Sequence, residues 1–237
     1  MKRTLLGKIT LITTLSLFAL QTNAQDASKN VKEKFTDKRG KPSLIVFNEK
    51  SSYKNNDFQK AFKEQLELKD NSSFAKTKSE SDKMGFLHEK FQLFHQGIKV
   101  EFSTYTVHSK SGKIESISGE FYQLDNVNTT QSISKEKAFD LALKQIGATN
   151  YLWESPSESK INNYKKPQGE LVLLPVVNED KNGKTDEQLR LSYKFDIYAT
   201  NPISRGDIYI DAVTGEALFY NATIKHLGEY SHGAKNS

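Results

Sequence analysis

The alternation of apolar and polar positions is most regular near the end of the chain, in residues 189–199. Apolar side chains occupy the odd-numbered positions from Leu189 to Ala199, and mostly polar side chains occupy the even-numbered positions from Arg190 to Tyr198. A period of two is typical of a β-strand with one buried and one solvent-exposed face. We therefore predict a strand at these residues.

Two more strands are predicted after this one. Asn201-Pro202 interrupts the alternation, which resumes at residues 207–211. Gly215 can adopt the positive φ angle of a tight turn, and residues 217–220 continue the apolar pattern after it. Residues 189–220 therefore predict a three-stranded antiparallel meander.

A helix and a further strand are predicted upstream of the meander. Ser134 is a typical N-cap, and Gly147 is a typical helix end; apolar residues recur between them at helical spacing, at positions 139, 142, 143 and 146. Residues 151–166 predict a surface loop. The apolar run 170–177 predicts a strand that lies at a sheet edge or stops early, because Pro175 has no backbone N–H to donate.

The first half of the chain predicts a similar succession. Residues 25–56 are polar and predict a linker, with one apolar island at 44–47 that could form an edge strand. Asp57 is a suitable N-cap for a helix that ends near Leu68. Residues 69–83 predict a polar loop, and residues 86–121 predict antiparallel strands separated by turns.

Helices that cover antiparallel strands indicate the α+β class. We predict two small helix-on-antiparallel-sheet domains, at residues 57–124 and 132–222, with the boundary near residues 125–131.

The first 24 residues predict a secretory signal peptide. Lys2, Arg3 and Lys8 form a basic start, an apolar run continues to Leu20, and Ala24 ends a small-residue cleavage site. The apolar run is too short to span a bilayer comfortably. We therefore predict a mature protein that is secreted or periplasmic and has no membrane association after signal removal.

The charge balance argues against a nucleic-acid partner. The whole chain has a formal net charge of +5, but the predicted signal peptide carries three basic residues and no acidic ones, so the mature chain would keep only about +2. No basic stripe is present, and the aromatic residues follow strand alternation rather than a basic face. The chain contains no cysteine, so its hydrophobic core must stabilise it without disulfides.

His88-Glu89 begins like the zinc-binding pattern His-Glu-x-x-His, but Gln92 occupies the place of the second histidine. The surrounding residues alternate as a strand, in which side chains four positions apart are separated by about 13 Å. That distance is too long for two ligands of one metal ion. We therefore interpret these residues as ordinary polar positions of a strand.

Three aspartates of the meander, Asp196, Asp207 and Asp211, are candidates for paired carboxylates or a calcium site. No Asp-rich loop follows them, and we predict instead that they lie on a solvated sheet face. The chain also has no Gly-x-Ser-x-Gly motif and no cysteine nucleophile. We predict no catalytic residue, no bound cofactor and no metal ligand in this chain.

Two stretches resemble known domains. Residues 94–121, FHQGIKVEFSTYTVHSKSGKIESISGEF, resemble the FTP (fungalysin/thermolysin propeptide) motif. The segment ISKEKAFDLALKQIG, followed later by YKFDIYA and RGDIYIDAVTGEAL, resembles a PepSY domain. Together, behind a signal peptide, they resemble the N-terminal pro-region of secreted thermolysin-like zinc metalloprotease precursors.

This resemblance implies a pro-region that serves as intramolecular chaperone and active-site inhibitor, with the cognate metalloprotease catalytic domain as its partner. Residues 223–237 would form a tail toward the processing site, in which Ile224 and His226 would contact the protease cleft. The parent precursor would be a zinc metalloendopeptidase. Its zinc and calcium would belong to a catalytic domain that these 237 residues do not include, so the chain itself is not expected to be an enzyme.

The alternative interpretation is a free-standing exported PepSY-type module that binds a peptide or envelope partner, or inhibits a protease in trans. Tyr105, Tyr198 and Tyr209 lie outside the apolar alternation and would be its contact residues.

Overall fold

The structure, a computed structural model, describes residues 29–122, 124–179 and 185–224. It is mainly β-sheet with a few helices, which confirms the α+β class. The predicted signal peptide at 1–24 and His226 lie outside the described residues.

The strands, in chain order, are β1 (Val31–Thr36), β2 (Pro42–Phe47), β3 (Ser72–Ser81), β4 (Phe86–His95), β5 (Ile98–Lys110), β6 (Lys113–Gly119), β7 (Asn150–Tyr151), β8 (Glu170–Glu179), β9 (Thr185–Asn201), β10 (Ile203–Asp211) and β11 (Ala217–Ile224). The α-helices are α1 (Phe58–Gln65), α2 (Lys135–Ile146) and α3 (Pro156–Ile161). Short 3-10 helices occur at Asn55–Asp57 and Leu152–Glu154.

The residues divide into two compact units. The first contains the described residues up to Phe91 together with Thr104–Phe121, and the second contains Gln92–Ser103 together with the described residues from Tyr122 onward. The strands β4 and β5 therefore each contribute residues to both units.

In the first unit, β2 pairs with β1 on one side and with β6 on the other, and β6 pairs with β5; all three pairings are antiparallel. Helix α1 buries Ala61 and Phe62 completely. The Phe62 ring lies 4.3 Å from the Phe74 ring and 5.8 Å from the Tyr105 ring, centroid to centroid. Aromatic packing of this kind forms the core under the helix.

Two sequence predictions for the first unit are wrong. The segment predicted as a linker contains the hairpin β1–β2, and β2 is not an edge strand because it is paired on both sides. The segment predicted as a polar loop contains β3, which pairs with β4. Within β3 only Ser72 and Phe74 are buried, and in β1 none is fully buried, so neither strand shows the alternation that would have revealed it.

In the second unit, the predicted meander is confirmed: β9, β10 and β11 follow one another in antiparallel pairing. The strand β8 pairs antiparallel with β9 on one side, and on the other it pairs in parallel with β5, where Lys99 and Val100 face Val172 and Leu173. The short strand β7 also pairs with β9.

Helix α2 forms with the predicted signals and covers this sheet. The Ser134 hydroxyl accepts a hydrogen bond from the Lys137 backbone N–H at 3.1 Å, and Gly147 ends the helix with φ +67°. The Phe139 ring packs 5.2 Å from the Phe195 ring of β9. The odd-numbered side chains predicted to be buried in β9 are buried from Leu191 to Ala199.

One further prediction needs correction. The segment predicted as a surface loop contains α3 and a 3-10 helix, and it buries Tyr151, Leu152 and Tyr164.

For β8, the first of the two predicted alternatives applies at Pro175. The strand does not stop early but continues to Glu179. Its pairing with β5 is confined to Val172 and Leu173, so among the described strands Pro175 has a partner only on the β9 side, which is the edge environment that proline tolerates.

Within the described residues, no helix combines the length and the apolar character needed to cross a membrane.

Candidate functional site

The end of β11 is the point from which the predicted cleft-contacting tail would leave the sheet. Ile224 is the last residue of β11, and its backbone pairs with Arg205 of β10. His226 lies outside the described residues, so the structure does not place the two predicted contact residues together. Their role in a protease cleft stays a prediction.

Arg205 is held firmly at this strand end. Its Nε and Nη2 atoms donate to the two carboxylate oxygens of Asp196 at 3.0 and 2.7 Å. The guanidinium carbon also lies 5.4 Å from the Tyr164 ring centroid and 5.3 Å from the Tyr198 ring centroid. Two-point pairing with a carboxylate and stacking on aromatic rings are the contacts that arginine makes better than lysine. The hydrogen bonds to Asp196 raise the pKa of Arg205.

The backbone of β11 is fixed to β10 at the same place. The Thr223 hydroxyl donates to the Arg205 carbonyl at 3.0 Å. At Gly206, an added Cβ would lie 2.6 Å from the Asn221 carbonyl oxygen and 2.7 Å from a ring carbon of Tyr220. Only a glycine permits this close approach, so the sequence at the strand end is adapted to hold β11 tightly.

The outer edge of β11 is open among the described residues, since there β11 pairs with β10 alone. The strand, ALFYNATI, has no charged residue, and Phe219 is 44% exposed. Phe219 stands beside Phe102, itself 42% exposed, with the ring centroids 6.2 Å apart. Charged side chains commonly protect edge strands from pairing with other chains. This edge lacks that protection and could accept an extended peptide.

Two of the three tyrosines predicted as contact residues are buried. Tyr105 and Tyr209 are fully buried, and only Tyr198 retains partial exposure. The Tyr105 hydroxyl donates to the Pro42 carbonyl, and the Tyr209 ring packs 5.8 Å from Phe219. Tyr105 lies on the face of β5 that is buried from Ser103 onward, because the alternation shifts at the exposed Phe102, whose φ is +59°. At Tyr209 the sheet is buried on both faces, since the adjacent Ile208 and Ile210 are buried as well.

The predicted solvated face of aspartates is also wrong in part. Asp211 is only 3% exposed and pairs with Arg190, whose Nε lies 2.7 Å from its Oδ2. Asp207 pairs with Lys194 at 3.1 Å, and Asp196 with Arg205. Each carboxylate thus has its own cationic partner, and the three do not form a paired acid or a calcium site.

His88 does not take part in a helical zinc motif, since it lies on strand β4. Its Nδ1 atom lies 2.7 Å from Nδ1 of His108 on β5. Its neighbour Glu89 is buried and forms an ion pair with Lys76. The histidine pair is a feature that the sequence analysis missed, because the two residues are 20 positions apart and meet only through the strand pairing. In the part of the chain that the structure describes, no group of three or more His, Cys, Asp or Glu side chains could hold a metal ion.

Comparison with known proteins links one segment to a family. Residues 72–121 match the family model of the Fungalysin/Thermolysin Propeptide Motif. The matched segment contains β3, β4, β5 and β6, so it includes both the histidine pair and the strand that the sequence analysis had taken for a loop. The resemblance to the FTP motif is confirmed for these residues.

Among solved structures, the chain is similar to the Bacillus megaterium YpeB C-terminal domain. The TM-score is 0.34 at 16% sequence identity, over 79% of this chain and 74% of that chain. The comparison with curated proteins finds no match.

Proposed function

We propose that this chain is the pro-region of a secreted thermolysin-like zinc metalloendopeptidase, and that it acts as intramolecular chaperone and active-site inhibitor. The observation that supports this proposal is the match of residues 72–121 to the propeptide motif of fungalysins and thermolysins. A propeptide domain is non-catalytic by itself and works through association with a protease catalytic domain. In this proposal the chain is exported, and residues 132–222 are a PepSY domain.

Both roles follow from a single binding preference. A preformed surface that binds the native protease more tightly than its unfolded forms stabilises the native protease by mass action. If the same complex also covers the cleft, it inhibits the enzyme until the pro-region is removed. A pro-region that is folded before it binds loses less conformational entropy than a disordered one would.

The end of β11 would deliver the inhibitory segment. The hydrogen bond from Thr223 to the Arg205 carbonyl and the close approach at Gly206 fix the last residues of β11 onto β10, so the inhibitory segment would begin from a fixed strand end. We propose that Ile224 and His226 contact the protease cleft. Zinc and calcium belong to the catalytic domain in this proposal, and this chain binds neither.

The deciding experiment combines refolding with inhibition. Purified residues 25–237 are added to a denatured thermolysin-like protease from the same organism and, separately, to the active enzyme, and peptide hydrolysis is followed. We expect recovered activity in the first mixture and lost activity in the second. No effect in either, with the added chain shown to be folded by circular dichroism, would contradict the proposal.

Removing residues 224–237 separates the two roles. We expect the truncated chain to fold and to assist refolding, but to inhibit the active enzyme more weakly. An unchanged inhibition constant would show that the tail is not the inhibitory segment, while leaving the chaperone role standing.

A second candidate function is a free-standing exported module that binds an extended peptide. The uncharged open edge of β11 favours it, because an added strand could satisfy the free backbone groups of that edge. A protease coding sequence that continues the same reading frame would favour the pro-region. The Asn221 carbonyl faces Gly206 of β10, so the N–H of Ala222, on the opposite side of the same peptide, faces the open edge. Strand addition is tested by replacing Ala222 with proline, which removes that N–H, and measuring peptide binding.

A further inference from the structure

The contact between His88 and His108 is a head-on pairing of two ring nitrogens. The Nδ1 atoms are 2.7 Å apart, the ring centroids are 5.0 Å apart, and the ring planes cross at 72°. Each ring therefore points its Nδ1 at the other. This is the geometry of one N–H···N hydrogen bond, in which one nitrogen carries the proton and the other offers its lone pair.

The outer nitrogens of the two rings also have partners. Nε2 of His88 lies 3.2 Å from Oδ2 of Asp82, and Nε2 of His108 lies 3.0 Å from the Ser118 hydroxyl oxygen. A carboxylate can only accept, so Nε2 of His88 must carry a proton to bond with it. A hydroxyl can either donate or accept, so Ser118 suits either tautomer of His108.

Backbone hydrogen bonds favour the charged form of the Asp82 carboxylate. Its Oδ1 accepts hydrogen bonds from the backbone N–H groups of Met84 and Phe86 at 2.8 and 2.9 Å. The pKa of Asp82 is lowered, first by the hydrogen bond from Phe86 and further by His88. A fixed negative charge therefore stands beside the outer nitrogen of His88 at neutral pH.

These partners allow two complete hydrogen-bonding patterns. With no extra proton, His108 donates from Nδ1 to His88 and accepts from Ser118. With one extra proton, His88 is a cation that donates to Asp82 and to Nδ1 of His108, and His108 donates from Nε2 to Ser118. With two extra protons, both Nδ1 atoms carry hydrogen, and at 2.7 Å neither has an acceptor.

We infer that His88 and His108 form a proton-binding site that accepts one shared proton, and that binding of a second proton breaks the contact and weakens the attachment of β4 to β5 in the first unit. The site would make the part of the chain that matches the propeptide motif sensitive to mild acid. This inference stands independently of the proposed function, because it concerns the stability of the chain alone.

The other charged groups around the pair do not remove this sensitivity. Lys110 lies with its Nζ 4.7 Å from the centroid of the Phe86 ring, which stacks on His88. On β3, Lys78 and Glu80 pair with each other at 2.5 Å. Across from His108 in the strand register, β6 presents uncharged Ser116. Among these groups, Asp82 is the carboxylate bonded to the pair, and it bonds to His88 rather than to His108.

The direction of the pH effect follows from His108. Burial, and then the neighbouring His88, lower the pKa of His108. The unfolded chain therefore binds more protons than the folded chain as the pH falls below about 6.5, the ordinary value for histidine. The free energy of unfolding should decrease in that pH range, with a slope of at most about one proton, or a tenfold change in the unfolding constant per pH unit.

Nitrogen-15 NMR of the intact wild-type chain tests the hydrogen bond directly. We expect a scalar coupling between Nδ1 of His88 and Nδ1 of His108 near neutral pH, which requires a shared hydrogen bond. It should disappear on acidification together with the titration of His108. Two independently titrating rings without coupling would overturn the inference.

Urea unfolding between pH 7.5 and 5.5 tests the consequence. The variants His108→Phe and His88→Phe should both unfold more easily than wild type at pH 7.5. The unfolding constant of His108→Phe should change much less with pH than that of wild type, whereas His88→Phe removes only the lesser cause of the lowered pKa of His108 and should reduce the slope in part. A merely structural role would lower stability equally at both pH values and leave the slope unchanged, which would contradict the inference. The variant His226→Gln controls for the loss of a histidine outside the pair and should keep the wild-type slope; if either Phe variant does not fold, the NMR measurement on wild type decides.

Discussion

Arg190 and Asp211 form an ion pair in which both oxygens of the carboxylate are bonded. Nε of Arg190 lies 2.7 Å from Oδ2, and Oδ1 accepts hydrogen bonds from the backbone N–H groups of Val213 and Thr214 at 2.8 and 2.7 Å. Asp211 thus ties the start of β9 to the turn between β10 and β11. This aspartate therefore stabilises the turn of the meander and its contact with β9.

Replacing Asp211 with alanine should lower the free energy of unfolding by about 2–3 kcal/mol. The change removes hydrogen bonds to a buried charged group, but Arg190 keeps a second partner in Glu216 at 3.0 Å, so the cost should stay below that of a fully orphaned ion. Urea denaturation measures the effect. The exposed Asp186 offers a matched control, since Asp186→Ala should change stability by about 0.5 kcal/mol or less.

Gly206→Ala should loosen the end of β11. The added methyl group would meet the Asn221 carbonyl oxygen at 2.6 Å, and overpacking of this kind costs about 1–3 kcal/mol. Hydrogen exchange should show faster exchange of the β11 amides than in wild type. Ala222 lies opposite in the strand register, and Ala222→Gly provides the control: it adds no atom and should cost only about 0.5–1 kcal/mol. Equal protection in both variants would contradict the close-packing argument.

Arg205→Lys should weaken inhibition if the strand end positions the tail. Lysine keeps the charge but loses the two-point pairing with Asp196 and the stacking between Tyr164 and Tyr198. Because the pair is partly exposed, we expect a loss of only about 1 kcal/mol in stability. The inhibition constant against the cognate protease should nevertheless rise, while hydrogen exchange in β1 and β2 stays as in wild type. An unchanged inhibition constant would mean that the tail does not depend on this anchor.

The folded chain should lose stability at alkaline pH because buried tyrosines resist ionisation. Burial, and then Glu64, raise the pKa of Tyr53 to about 12, and burial raises that of Tyr164 to about 12. The unfolded chain releases these protons near pH 10, so stability that is present below pH 10 is lost as the pH rises from 10 to 12. Each unit of pKa shift corresponds to about 1.4 kcal/mol at most.

Tyrosinate absorbance during an alkaline titration measures this effect. Ionisation of the buried tyrosines should coincide with unfolding seen by circular dichroism. In Tyr53→Phe, stability at pH 8 should fall, because the hydrogen bond to Glu64 at 2.5 Å is lost, but the decline above pH 10 should be shallower. A decline as steep as in wild type would contradict the assignment of Tyr53.

The sequence predicted the second unit better than the first, for a physical reason. The strand β9 and the helix α2 each bury one face regularly, so their periods of two and 3.6 are visible in the residues. In contrast, β3 buries only Ser72 and Phe74, and its strand structure comes from pairing with β4 rather than from its own pattern. Local periodicity cannot reveal a strand whose stability depends on its neighbour.

The candidate sites show the same limit. Tyr209 falls at a position that alternation assigns to solvent, yet it is fully buried, because the sheet is covered on both faces there. His88 and His108 meet only when β4 and β5 are aligned, and Arg205 meets Asp196 only across the β9–β10 pair. Such contacts are set by strand register, which a single sequence does not contain.

Residues 92–103 belong to the second compact unit, although the residues on both sides of them in the chain belong to the first. This matters for any attempt to divide the chain into two fragments. A break near residues 125–131 would give an N-terminal fragment that carries a strand belonging to the other piece, since Lys99 and Val100 pair with Val172 and Leu173. The C-terminal fragment would then lack the segment of β5 that pairs with β8. The two fragments should therefore fold together better than apart, and fragment complementation, not separate expression, is the appropriate way to dissect this protein.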